Sequence, residues 1–131
     1  MITGIHHAQI TIPRNEEEKA KDFYCGILGL KEIDKPESLK KRGGFWLQAG
    51  NLEVHAGTED GFDRFQTKAH LAYEVTDLNL WRNKLADQGI IILESVPIPG
   101  MERFEFRDPF GNRVEMLQRV NKEDSKNESL V

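Results

Sequence analysis

The second half of the chain repeats the first. Displaced by 63 residues, His7 falls on His70, Ala8 on Leu71, Ile10 on Tyr73 and Ile12 on Val75. A Gly-Asn turn recurs as Gly50-Asn51 and Gly111-Asn112, and a glutamate follows each, Glu53 and Glu115. A few extra residues around Arg14 to Glu16 account for the small drift in register. Whatever the first half folds into, the second half must fold into again.

The pattern inside each half says what that unit is. Residues 5–12 read as a strand, with His7, Gln9 and Thr11 on one face and His6, Ala8, Ile10 and Ile12 on the other. Pro13 ends it, and Asn15 followed by Glu18 resembles a capping box. Ala20, Phe23, Tyr24, Ile27 and Leu28 then form one apolar helical stripe, with Gly29 as its stop. Three short strands follow, at 31–34, 45–49 and 52–56, with a basic loop at 36–44. Lys40, Lys41 and Arg42 in that loop read as a solvated surface.

Residues 69–75 begin the second series, with His70, Ala72 and Glu74 opposite Leu71, Tyr73 and Val75. A helix from about Leu78 carries Leu78, Trp81, Leu85 and Ala86 as its stripe, and Gly89 ends it. Strands follow at 90–94, around Phe104 and Phe106, and at 113–118, the last two joined by the turn at 108–112. Each half is therefore a βαβββ module of the α+β class. Residues 1–119 make one domain: module one at about 1–57, a polar linker at 58–68 and module two at about 69–119. The stretch 120–131 holds few apolar residues and reads as a flexible tail.

Composition narrows the function. The length of 131 residues suits one domain. A net charge of −4 argues against a nucleic-acid binder held by phosphate contacts. The single cysteine, Cys25, excludes an intrachain disulfide or a Cys-rich zinc module and reads as structural. The N-terminus shows no signal-peptide pattern, and no apolar run approaches the roughly 18 residues of a membrane span. A cytoplasmic protein with no membrane partner is expected.

One face of each sheet must pack on its helix. A histidine on the opposite face of each first strand serves no such packing. Two modules facing each other would enclose a cup lined by His7, His70, Glu115 and either Glu53 or His55. This mixed nitrogen and oxygen set suits Zn²⁺, Mn²⁺, Fe²⁺, Co²⁺ or Ni²⁺ better than Ca²⁺ and leaves positions for substrate. Glu53 or Glu115 could act as the catalytic base. Gln9, Trp46, His55 and Phe104 are candidates for substrate contact, Trp46 and Phe104 having core packing as their alternative. His6 reads as a structural residue on the helix side.

Several segments resemble the vicinal oxygen chelate superfamily, which includes glyoxalase, dioxygenase and bleomycin-resistance proteins. They are Ile5-His6-His7-Ala8-Gln9-Ile10, Phe23-Tyr24 ahead of Leu28-Gly29-Leu30, Ala69-His70-Leu71-Ala72, and Asp108-Pro109-Phe110-Gly111-Asn112-Arg113-Val114-Glu115. The resemblance implies a small two-module branch. It implies two βαβββ modules forming a cup-shaped, partly open mixed barrel with helices outside, often as a homodimer. It also implies His7, His70 and Glu115 as ligands of a divalent transition metal, with Glu53 matching the fourth ligand of glyoxalase I and His55 departing from that pattern. The activity implied is glyoxalase-like lyase or isomerase chemistry on a small oxygenated substrate. The alternatives are a metal-free protein that sequesters a drug, or a small dioxygenase.

Overall fold

The computed structural model describes residues 1–120. It contains two compact units, one spanning Met1–Arg64 and a second beginning at Phe65. The boundary falls inside the polar stretch at 58–68. Each unit holds one open sheet of four strands.

In the first unit, β1 (His7–Ile12), β2 (Lys31–Ile33), β3 (Phe45–Ala49) and β4 (Leu52–Thr58) are ordered β1-β4-β3-β2. β1 runs parallel to β4 and the other pairs are antiparallel. A parallel pair needs a long crossover, and the helix and two strands between β1 and β4 supply it. The helix opens as α1 (Glu17–Lys21) and continues as a π-helical turn over Asp22–Ile27. There the Leu28 N–H donates to the Phe23 carbonyl, five residues back. Ala20, Phe23, Tyr24 and Leu28 are buried, as the stripe predicts. They are joined in the core by Ile12, Phe45, Leu47, Val54 and Ala56.

The capping box does not form. Glu16 is the N-cap and makes no side-chain cap hydrogen bond, while Asn15 takes a left-handed backbone with φ 65°. The basic loop is not irregular either: Glu37–Arg42 winds into a 3₁₀ helix. The polar linker contains a pin that its lack of periodicity concealed. Arg64 is buried, and its Nε donates to the Thr11 carbonyl at 2.9 Å while Nη2 donates to the Glu59 carbonyl.

The second unit repeats the plan. Its strands β5 (His70–Glu74), β6 (Leu93–Glu94), β7 (Met101–Arg107) and β8 (Arg113–Arg119) are ordered β5-β8-β7-β6, with β5 parallel to β8. The strand expected at 90–94 is only two residues long. Helix α2 (Leu78–Asp87) is capped by Asp77, whose carboxylate accepts from the Leu80 N–H at 3.1 Å. Leu78 and Leu85 are buried, Trp81 is half-buried, and Ala86 is exposed rather than part of the stripe. The Leu78 N–H donates to Gln118 Oε1 at 2.9 Å, which ties the helix start to β8. Phe104, Phe106, Val114 and Met116 complete the core. Val120 still donates its N–H to the Gly100 carbonyl, so pairing runs to the last described residue. The rest of the expected tail lies outside the described residues.

Two substitutions probe this packing. Gly44 has φ 81°, and a Cβ there would lie 2.1 Å from the Ala56 carbonyl oxygen. Gly44→Ala should cost about 3 kcal/mol, read by urea unfolding. Tyr73 points its hydroxyl into the second core with no hydrogen-bond partner among the described residues. Burial, helped by the Asp108 charge, pushes its phenol above the ordinary range. Tyr73→Phe should therefore leave stability unchanged or raise it by about 1 kcal/mol; a loss of that size would mean the hydroxyl is satisfied.

Candidate functional site

Strand register decides which side chains meet. In the first sheet His7 lies opposite Glu53, Gln9 opposite His55, and Trp46 opposite His55 from the other side. These five therefore share the face turned away from the buried apolar residues. Their rings stack in sequence across three strands. His55 lies 4.1 Å from His7 at an interplanar angle of 13°, and 3.9 Å from Trp46 at 2°. The stack fixes the His55 ring, whose Nε2 meets Glu53 Oε1 at 3.0 Å. That hydrogen bond, with smaller help from the charges of His6, His55 and His7, holds the Glu53 carboxyl below its usual range.

His6 departs from expectation. It precedes β1, so the strand's alternation does not reach it, and it is exposed rather than packed on the helix side. Its Nδ1 lies 3.1 Å from His7 Nδ1, and its Nε2 lies 3.9 Å from Glu53 Oε2. A cavity of about 530 Å³ opens on this face, lined in part by His6, His7, Gln9, Trp46 and His55.

The second sheet presents a charged face. Register places Ala72, Glu115 and Glu105 in one row, and His70, Arg113 and Arg107 in the next. His70 Nδ1 is 2.9 Å from the Lys68 carbonyl, so that nitrogen carries the proton and donates it. Its Nε2 faces Glu115 Oε1 at 3.3 Å. Arg103 meets the same oxygen, with Nη1 at 3.1 Å. Arg113 pairs with Glu105 at 2.5 Å, and this bond holds the Glu105 carboxyl below its usual range. The turn entering β8 sets this register: Asp108 Oδ1 accepts from the N–H groups of Phe110 at 2.9 Å and Asn112 at 2.8 Å.

Most candidates thus lie on the expected faces. His7 neighbours Glu53 in one unit, and His70 meets Glu115 in the other. Gln9, Trp46 and His55 line the cavity. Phe104 does not contact any such space: it is fully buried on the helix side of its sheet, with the Arg82 guanidinium 5.5 Å from its ring centre. It is core, because the strand alternation that buries Phe106 buries Phe104 with it. Among the described residues, no group of three or more His, Cys, Asp or Glu side chains is gathered in metal-holding geometry. Sequence reasoning missed Arg103, Glu105 and Arg113. Their signal was present, since residues 103, 105 and 107 alternate with the two phenylalanines.

The repeat also pairs residues between units. His7 and His70 are equivalent, each on its first strand. Two residues along, Gln9 faces His55 where Ala72 faces Glu115. His55 is therefore the counterpart of Glu115, and Glu53 is the counterpart of Arg113.

Comparison with known proteins agrees with this architecture. Residues 4–116 match the model of the Glyoxalase/Bleomycin resistance protein/Dioxygenase superfamily. The chain belongs to that superfamily, the vicinal oxygen chelate group. A crystal structure of a protein from Bacillus anthracis assigned to the glyoxalase family is 41% identical, with TM-score 0.85, covering 91% of this chain and 97% of that one. The fosfomycin resistance protein FosX from Listeria monocytogenes, complexed with Mn(II) and sulfate, shares the fold at 17% identity and TM-score 0.74, covering 98% and 99% of the two chains. TnmS3, an antibiotic binding protein from Streptomyces sp. CB03234, shares it at 21% identity and TM-score 0.67, covering 91% and 98%. The comparison with curated proteins gave no match. No helix among the described residues is long and apolar enough to cross a membrane.

The Glu105–Arg113 pair yields a pH prediction. A depressed folded-state pKa stabilises above the unfolded carboxylate range, and that contribution is lost as pH falls through the folded value. Glu105→Gln should lower the melting temperature at pH 7. The difference from wild type should shrink as pH falls and vanish below the folded pKa; a constant difference down to pH 3 would assign the effect to packing instead.

Proposed function

We propose that the protein is a metal-dependent enzyme of the lyase or isomerase type, acting on a small oxygenated substrate. The observation that supports this reading best is His70. Its Nδ1 is committed to a backbone carbonyl and its Nε2 faces a buried carboxylate, an arrangement typical of a ligating histidine with its outer partner in place. The donors fit a divalent transition ion in kind: His7, His70 and Glu115, with His55 as the fourth by its equivalence to Glu115. Its Nε2 is engaged with Glu53, so Nδ1 is the nitrogen that His55 would offer an ion. Zn²⁺, Mn²⁺, Fe²⁺, Co²⁺ and Ni²⁺ all accept such a set.

A bound ion would polarise two neighbouring substrate oxygens as a Lewis acid. The chain's own residues supply the remainder. Glu53, kept ionised by His55, would serve as the base that takes a proton from the carbon beside the oxygenated centre. Gln9 and Trp46 orient the substrate in the cavity. In this reading the protein works as a cytoplasmic homodimer.

Two observations favour a second reading, a metal-free binding protein for a drug-like molecule. Arg103 already neutralises Glu115, and the ring stack already gives an aromatic wall.

Metal titration separates the two. A ligand of the folded state alone raises stability by mass action, by about 2.7 kcal/mol at a hundredfold excess over Kd. In thermal denaturation with each of the five ions, at least one should stabilise the wild type. His7→Ala and His70→Ala should lose most of that gain while keeping their metal-free stability. His55→Ala should lose more of it than Glu53→Gln. Absence of stabilisation by all five ions would leave the drug-binding reading in its place.

A further inference from the structure

The cavity of the first unit carries more positive charge than the proposed metal set uses. Lys35 and Arg42 line it, and no aspartate or glutamate does. This is unusual in a chain of net charge −4. Lys35 Nζ donates to the Gly43 carbonyl at 2.7 Å, which closes the segment between them and leaves two ammonium hydrogens. The Arg42 guanidinium has no partner among the described residues. Nearby Lys40, by contrast, is paired with Glu37 at 2.6 Å.

The backbone holds this basic wall in place. Thr58 Oγ1 donates to the Arg42 carbonyl at 3.3 Å, joining the end of the 3₁₀ turn to β4. Gly43 and Gly44 follow with φ 75° and 81°. On the sheet side, Gly57 leaves room for Gln9: a Cβ there would come within 2.5 Å of its Nε2. The lining therefore joins two cations to the polar edge of Gln9, His7 and His55. A space of about 530 Å³ suits a small molecule.

The geometry points to a small organic anion as the ligand of this cavity, its carboxylate or phosphoryl head held by Arg42 and Lys35 and its oxygenated body lying toward His7 and His55. The inference rests on the reading of this face as the catalytic one. A guanidinium binds either head through two parallel hydrogen bonds, and the ammonium adds a point charge.

Isothermal titration of the intact chain with benzoate, phenylphosphonate and neutral benzamide tests it, first with EDTA and then with Mn²⁺. At least one anion should bind about tenfold more tightly than benzamide, and whichever binds better names the head group. Arg42→Gln should weaken the anion about tenfold, Arg42→Lys should recover part, and benzamide should not respond. Arg42 is exposed, so these variants should fold as wild type does; a melt of each checks this. Equal binding of benzamide, indifference to Arg42→Gln, or no binding of either anion would overturn the inference. Anion binding in EDTA that depends on Arg42 would uphold it even if no metal stabilises the protein. Metal stabilisation without anion binding would overturn this inference and leave the metal reading standing.

Discussion

The parallel pairing of first strand with last is the constraint on which the rest of each unit depends. It brings His7 beside Glu53 and Gln9 beside His55 across more than forty residues of chain. It does the same for Ala72 and Glu115 in the second unit. The helix that makes the crossover must then cover one face of the sheet, which commits the apolar residues of every strand to that side. The other face is left to side chains that packing does not require. Chemistry in this fold is thus a by-product of topology: the side chains near one another are those that the ladder aligns, whatever their distance in sequence.

The two units use that free face differently. The first presents stacked rings, a carboxylate and a cavity. The second presents a lattice of arginines and glutamates, with one histidine at its edge. His55 and Glu115 stand at equivalent positions, as do Glu53 and Arg113. A duplicated scaffold has kept its first-strand histidine in both copies and exchanged nearly every other polar neighbour.

Much of this was legible in the sequence because alternation and the 63-residue repeat are local signals. The faces of β1 and β5, the helix stripe before Gly29 and the turn before Arg113 all follow from them. The capping box failed because Asn15 spends its tolerance of left-handed backbone on the turn instead. The π-helical turn was invisible because its burial pattern matches an ordinary helix over so short a span. Phe104 was misplaced although the hairpin at 108–112 already pairs Glu105 with Glu115, which puts Phe104 on the far side. The equivalence of His55 with Glu115 could not be read at all. A long crossover leaves the register of a parallel pair open, whereas a tight turn fixes that of a hairpin.

The charge lattice of the second unit meets dissolved salt unevenly. Screening acts on charges open to solvent and reaches buried pairs much less. Glu115 is buried and Arg103 half-buried, while Arg119 and Glu74 pair at the exposed end of the same sheet. A rise in salinity therefore loosens Arg119 from Glu74 first and leaves the contact between Arg103 and Glu115 in place.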